Sequence, residues 1–69
     1  MKQIDARGYA CPMPVIMVQK EVKAAAPAEL QVLVDDKCAV ENVTRFGESQ
    51  GYAVTWLEVD DEFELTLKK

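Results

Sequence analysis

Strand-like and helix-like segments alternate along this chain, and their order leaves few ways to fold it. In two segments apolar residues recur at intervals of three and four, as on one face of a helix, and in the others they recur at every second position. Pro27 ends the first helical segment and Gly51 ends the second. The predicted elements are a strand over 2–6, a helix over 12–26, a strand over 30–34, a helix between the Asp35-Asp36 cap and Gly51, and strands over 53–59 and 62–68 joined across Asp60-Asp61.

This order, βαβαββ, predicts the architecture. A strand, a helix and a parallel second strand form a right-handed crossover, which places the helix on one face of the sheet. Both helices should therefore cover the same face, giving a two-layer α/β (α+β) sandwich with both helix N-termini at one end of the sheet. A chain of 69 residues allows one small domain, and we expect it to span residues 1–69.

Charge and cysteine content exclude several classes of function. A formal net charge of −4 argues against nucleic acid or an anionic membrane as partner, since both attract basic surfaces. The chain has no histidine and its two cysteines lack metal-ligand spacing, so we expect no metal and no cofactor. No apolar stretch resembles a signal peptide or a membrane span. Together these features predict a cytoplasmic protein with reduced thiols.

One cysteine stands where an extended segment becomes a helix, in the stretch Tyr9-Ala10-Cys11-Pro12-Met13-Pro14. A residue before proline is pushed out of the helical region, so Cys11 should lie at or beside the N-cap, with Pro12 at the first helical position. The two prolines leave the N–H groups of Met13 and Val15 to face the cap. These amides and the positive end of the helix dipole would favour a thiolate. The alternative interpretation is a small apolar residue before a proline-initiated helix.

The run Asp5-Ala6-Arg7-Gly8-Tyr9-Ala10-Cys11-Pro12-Met13-Pro14 resembles the CPxP signature of the TusA/SirA/YedF family of small sulfur-carrier proteins. The likeness extends through nearly the whole chain. Residues 15–18 look TusA-like, whereas residues 34–36, 41–46 and 49–52 look more like the first domain of YedF-type proteins. The resemblance implies a mixed four-stranded sheet with two helices on one face, like the C-terminal domain of translation initiation factor three.

The resemblance also implies a function. Cys11 would accept a sulfane sulfur from a donor protein, such as a cysteine desulfurase or a rhodanese-like protein, hold it as a persulfide and pass it to an acceptor protein. This is sulfurtransferase-type relay chemistry by a monomer or weak dimer. The chain offers neither a histidine nor a matched carboxylate pair as general base, which favours thiol exchange over hydrolysis. The alternative is a YedF-like non-catalytic binding module associated with redox regulation or selenium metabolism.

Several residues support Cys11 in this interpretation. Asp5 should order the loop through backbone hydrogen bonds, because a carboxylate beside the thiolate would raise the pKa of that thiol. Arg7 either adds positive charge near the sulfur or is a solvated surface residue. The remaining motif residues are Gly8, Pro12, Met13 and Pro14.

Cys38 departs from the family signature, which needs only one cysteine. It follows the Asp36 cap by two residues, so it should occupy the first turn of the second helix, at the same end of the sheet as Cys11. One interpretation is a resolving thiol that attacks a persulfide or mixed disulfide on Cys11. The other is a small residue that fills a helix start.

Alternation in the last two strands predicts an apolar patch on the uncovered face of the sheet. If Phe63 and every second residue after it in the last strand lie in the core together with Leu57, then Trp56 faces away from both helices. Leu33 and Val54 would join it in a partner-binding patch of Leu33, Val54 and Trp56. The competing interpretation shifts the strand by one residue and buries Trp56 beneath the helices.

Overall fold

The computed structural model describes residues 2–10 and 13–69, so the predicted positions of Cys11 and Pro12 lie outside the described residues. The element order is the predicted βαβαββ. Neither helix in the described part of the chain is long and apolar enough to cross a membrane. The elements are β1 (Lys2–Asp5), α1 (Met13–Ala25), β2 (Glu29–Val34), α2 (Lys37–Ser49), β3 (Ala53–Val59) and β4 (Glu62–Lys68).

The four strands form one mixed sheet in the order β1-β2-β4-β3. β1 and β2 pair in parallel, as the crossover through α1 requires, and β4 lies between β2 and β3, antiparallel to both. The loops that follow β1 and β2 therefore meet the β3–β4 turn at one end of the sheet. We call this the carboxyl end of the sheet, and it comprises residues 6–10, 35–38 and 59–62.

The predicted two-layer packing is confirmed, because both helices bury side chains against one face of the sheet. Val18 from α1 joins the buried residues of α2 and the alternate residues of β2 and β4 in one cluster. Gly47 lets α2 approach the sheet closely, since an added Cβ would lie 2.8 Å from side-chain atoms of Leu67 and Val54. The fully buried strand residues are Leu30, Val32, Val34, Leu65 and Leu67.

Both helices end where the sequence predicts. Ala26 follows α1 with a φ of 42°, and its N–H donates to the Val22 carbonyl at 2.9 Å, just before Pro27. Gly51 follows α2 with a φ of 88°, and its N–H donates to the Glu48 carbonyl at 3.1 Å. These left-handed residues satisfy carbonyls that a helix end leaves without partners.

The β3–β4 turn fixes the register of the last two strands. Asp60 and Asp61 both have positive φ, 51° and 64°, as in a two-residue type I′ turn. Val59 therefore lies directly opposite Glu62. Each earlier residue of β3 is matched in turn to a later residue of β4, so the turn alone determines which side of the sheet every β3 side chain takes.

This register corrects the prediction that Trp56 faces away from both helices, which is wrong. Trp56 lies opposite the core residue Leu65, and residues that face each other across paired strands point to the same side of the sheet. Val54 also lies on this side, near Gly47 of α2. Leu33 lies opposite Glu64 on the open face. Leu33, Val54 and Trp56 therefore do not form one patch.

The competing interpretation places Trp56 beneath the helices. It is correct about the side of the sheet that Trp56 takes and wrong about the burial of its side chain. Trp56 keeps 48% of its surface exposed, because β3 is an edge strand and the helices do not extend over its outer side. Its ring packs edge-on against Phe63, with ring centroids 5.7 Å apart. No bulge is needed to place it there, since the two-residue turn already sets the register.

Candidate functional site

A hydrogen bond joins the loop that leads towards Cys11 to the loop that leads into α2. The N–H of Gly8 donates to Oδ2 of Asp35 at 2.8 Å. Gly8 has a φ of 85°, which favours glycine, although an added Cβ would have no described heavy atom within 4 Å. From the sequence, Asp35 is predicted only as part of the cap of the second helix. Its position directly after β2 was the available signal, because the ends of adjacent parallel strands share one edge of the sheet.

Asp5 and Arg7 form a fork-to-fork pair at the start of the same loop. Nε and Nη2 of Arg7 donate to the two carboxylate oxygens of Asp5, each at 2.9 Å. As predicted, Asp5 also accepts a backbone hydrogen bond, from the Arg7 N–H at 3.2 Å. The Arg7 side chain, and then its backbone N–H, lower the pKa of Asp5 to about 2.

Arg7 lies on the surface, as one of its two predicted roles requires, with 41% of its side chain exposed. It is also hydrogen-bonded, because Nη1 donates to Oε1 of Glu62 at 3.2 Å, across 55 positions of sequence. Its position relative to Cys11 lies outside the described residues. Its positive charge is directed to two carboxylates, and these hydrogen bonds raise its pKa above the ordinary value. No local pattern predicts the contact with Glu62, since it depends on β4 lying beside β2.

At the start of α1 the amide of Met13 already has an acceptor. It donates to the Ala10 carbonyl at 2.9 Å, which closes a turn between the loop and the helix. The prediction that this N–H faces the cap is therefore corrected, because the turn takes it up. Pro14 lies buried in the first helical turn and fixes the helix against the core. Residues 11–16 contain no acidic side chain.

α2 begins with a side-chain cap at the same end of the sheet. Asp36 has extended backbone angles, and its Oδ1 accepts the Cys38 N–H at 3.0 Å. Cys38 lies in the first turn, as predicted, and is exposed. Nδ2 of Asn42 lies 3.8 Å from its Sγ and donates to it. The distance from Cys38 to Cys11 lies outside the described residues.

Exposed apolar side chains and acidic groups surround this end. Tyr9 and Met13, two positions before and after Cys11 in sequence, expose 48% and 42% of their surfaces, and Val59 of the hairpin is also exposed. Arg7 and Lys37 supply positive charge there. The acidic residues at or beside the carboxyl end are Asp5, Asp35, Asp36, Asp60, Asp61 and Glu62. This end is therefore suited to a partner surface that is partly apolar and carries basic groups.

Comparisons with known proteins agree on one family. The family model for sulfurtransferase TusA matches residues 2–69. A candidate sulfur carrier protein of Methanocaldococcus jannaschii is 38% identical over 71 residues, covering 100% of this chain and 95% of that protein. A second candidate sulfur carrier protein, from Bacillus subtilis, is 34% identical over 65 residues and covers 93% and 84%.

A solved structure supports the same relationship. The crystal structure of a SirA-like protein from Desulfitobacterium hafniense matches this chain with a TM-score of 0.87 and 36% sequence identity. The match covers 97% of this chain and 95% of that one.

Proposed function

Because this chain belongs to the TusA family, whose relatives support a sulfur-carrier role, we propose that it carries sulfane sulfur as a persulfide on Cys11 and relays it to an acceptor protein. One observation carries the proposal. α1 begins at Met13, two positions after Cys11, at the carboxyl end of the sheet. The positive end of a helix dipole favours an anion within the first turn, and a thiolate or a persulfide anion is such a group.

The pairing of Asp5 with Arg7 limits the repulsion that an anionic sulfur would meet from the motif loop. The stretch 11–16 carries no carboxylate, and the nearest acidic residue of the motif, Asp5, is paired with the Arg7 guanidinium. A paired carboxylate repels a second anion less than an unpaired one does. The low pKa of Asp5, about 2, is a consequence of the same pairing.

The hydrogen bonds of the loop also support the proposal. Gly8 is tied to Asp35, Ala6 donates to the Leu33 carbonyl at 2.8 Å, and Met13 donates to Ala10. The chain is therefore fixed on the near side and the far side of residues 11 and 12. A positioned nucleophile needs less reorganisation when a donor protein docks.

The proposed transfer needs no external oxidant. The Cys11 thiolate attacks the terminal sulfur of a donor persulfide, a new S–S bond forms on Cys11, and the donor S–S bond breaks as the donor cysteine leaves as a thiolate. Discharge is the same exchange in the other direction, with a nucleophile of the acceptor protein attacking the terminal sulfur and Cys11 leaving as a thiolate. Sulfur is transferred at an unchanged oxidation level in both steps.

The donor and acceptor proteins meet the exposed rim of the carboxyl end. Tyr9 and Met13 supply apolar contact on each side of the cysteine in sequence, and the acidic residues around them match a basic partner surface. The proposal assigns the carrier to the cytoplasm, where thiols stay reduced. Transfer should slow as salt concentration rises, because salt screens exposed charges.

Intact-mass measurement tests the proposal. The protein is incubated with a cysteine desulfurase and cysteine, or with a rhodanese and thiosulfate, and its mass is read before and after dithiothreitol. We expect the gain of one sulfur atom, removed by dithiothreitol, in the parent and in Cys38→Ser. The matched variant Cys11→Ser should gain none while keeping the circular dichroism spectrum of the parent.

Two outcomes would redirect the assignment. Loading of Cys11→Ser but not of Cys38→Ser would make Cys38 the acceptor. Failure of the parent to load with either donor would favour the non-catalytic, redox-associated or selenium-associated module. If Cys38 is a resolving thiol, Cys38→Ser should load normally and discharge more slowly or over-oxidise more readily with peroxide.

A further inference from the structure

β3 is an exposed edge strand, and Glu58 is the one residue in it with a usual feature that opposes pairing with another strand, a charge. The strand pairs with β4 on one side and ends the sheet on the other. Its seven residues, Ala53–Val59, include neither proline, glycine nor lysine, and Glu58 is its one charged residue. Leu57 and Trp56 expose 63% and 48% of their surfaces. A long, apolar edge of this kind is a template for another strand.

The β3–β4 turn determines which backbone groups of this edge are available. In a two-residue turn the flanking residues, Val59 and Glu62, share a hydrogen bond, and bonded and non-bonded pairs then alternate along the hairpin. The backbone N–H and C=O groups of Leu57 and Thr55 therefore point towards β4. Those of Glu58, Trp56 and Val54 point outward, where β4 does not reach them.

We propose that this edge pairs with β3 of a second copy of the chain, antiparallel, about a two-fold axis at Trp56. In that register Trp56 faces Trp56 of the second copy, and Val54 faces Glu58 of the second copy. Every outward-pointing residue then meets another outward-pointing residue, and each such pair exchanges two backbone hydrogen bonds. The result is a continuous sheet across both copies.

The charge pattern of the strand favours this register over the one centred on Glu58. With the axis at Trp56, the Glu58 carboxylate lies opposite an uncharged residue of the other copy. Moving the axis to Glu58 would place the two carboxylates directly opposite each other, which is destabilising. The axis at Trp56 also aligns two aromatic side chains, a favourable cross-strand pair.

The charges on the outer surface of α2 follow an order that the same two-fold axis would pair with opposite charges. This surface forms a groove of about 330 Å³ with Trp56, lined by residues that include Lys37, Glu41, Arg45 and Glu48. An axis perpendicular to the sheet at Trp56 sets the two α2 helices antiparallel on the same side. Lys37 then faces Glu48 of the second copy, and Glu41 faces Arg45 of the second copy. Opposite charges meet at each pairing.

The dimer leaves the proposed sulfur site open. The axis crosses the middle of β3, so the carboxyl ends of the two copies point away from each other. This inference therefore does not depend on the chemistry of Cys11. A seven-residue strand edge with a narrow helix contact is a small interface, and we expect weak, concentration-dependent association.

Sedimentation velocity over a range of concentrations, on the full chain, tests the proposal with a matched pair of variants. Trp56→Lys places a lysine on the edge, and Leu33→Lys places one on the open face between Asp5 and Glu64. We expect the parent and Leu33→Lys to shift from monomer to dimer alike, and Trp56→Lys to raise the dissociation constant by about tenfold or more. A parent that stays monomeric, or a dimer lost in Leu33→Lys and kept in Trp56→Lys, overturns the proposal.

Amide hydrogen exchange in the unmodified chain gives a second test that needs no substitution. The N–H groups of Val54, Trp56 and Glu58 should gain protection as concentration rises, because only the dimer pairs them. The N–H groups of Thr55 and Leu57 should be protected at all concentrations. Equal protection of both sets, independent of concentration, overturns the proposed edge.

Discussion

The two helices begin at the same end of the sheet in different ways. α2 begins with its own carboxylate, since Asp36 caps the helix by accepting the Cys38 N–H. α1 begins after Cys11-Pro12, closes a backbone turn between Ala10 and Met13, and carries no acidic residue near its start. The difference indicates that the chain itself supplies the anion at one helix terminus, whereas the proposed function leaves the other terminus to the sulfur.

The largest expected effect is on thiol reactivity. In Cys38→Ser, alkylation of Cys11 by iodoacetamide should follow a pKa below the ordinary value of about 8.5, because the positive end of the α1 dipole favours the thiolate. The rate is measured from pH 5 to 10, with Cys11→Ser as the reference for the reagent. A Cys11 rate profile with its midpoint at about 8.5 would remove the contrast between the two termini.

Gly8→Ala should have the next largest effect. Alanine at a φ of 85° costs about 1–2 kcal/mol of folding free energy and strains the loop that Asp35 holds. Gly51→Ala is the matched control, since its φ is 88° and its added Cβ is equally unobstructed. Urea unfolding should show similar losses for both variants, and intact-mass kinetics should show slower loading only for Gly8→Ala. Equal loading rates would show that the loop geometry does not matter for transfer.

Pro14→Ala should affect stability and transfer together. Pro14 is fully buried, so truncation leaves unfilled space, and the freer unfolded chain adds to a loss of about 1 kcal/mol. It also adds an N–H group to the first turn of α1, which should slow sulfur transfer. Pro27→Ala, outside the motif, should cost stability without slowing transfer. If both variants transfer sulfur at the parent rate, Pro14 has a structural role only.

Asp36→Ala tests the other helix terminus. Loss of the side-chain acceptor for the Cys38 N–H should cost about 1 kcal/mol in urea unfolding, and Asp36→Asn should retain most of the stability. Neither variant should change the pH dependence of Cys11 alkylation. A shift of that profile in Asp36→Ala would mean that the two helix starts are coupled.

The smallest effect concerns Asp5. Its pKa of about 2 lies below the unfolded value of about 3.9, so its pairing stabilises the fold above pH 4 and is lost as pH falls towards 2. Arg7→Gln should raise the pKa of Asp5 towards its ordinary value. The free energy of unfolding should then change less between pH 4 and pH 2. Carbon-13 NMR titration of the Asp5 carboxyl group measures this pKa, and Arg45→Gln is the charge-matched control. An unchanged pKa in Arg7→Gln would contradict the assigned cause.

Sequence patterns predict the structure correctly in regions where one signal dominates, such as alternation in a strand or a cap at a helix end. In β2 and β4 every second residue is apolar and the intervening residues are mostly polar, so only one phase buries the apolar set. The Asp36 cap and the proline and glycine at the helix ends act over a few residues. Their effects are therefore local and readable from the chain alone.

β3 shows where such patterns fail. Both of its faces carry apolar residues, with Val54 and Trp56 on one and Leu57 and Val59 on the other, so alternation cannot choose between them. The two-residue turn over Asp60 and Asp61 contained the missing information. Its flanking residues must face each other, which puts Glu58 and not Val59 on the side of Phe63.

The sequence by itself determined the order of elements, the two-layer packing and the placement of both helix starts at one end of the sheet. The tertiary structure alone decided the strand order, the exposure of Trp56 at the sheet edge and the partners of the motif loop. Gly8 meets Asp35 across 27 positions and Arg7 meets Glu62 across 55. Such contacts form only after distant strands pair, and local propensity does not encode which strands those are.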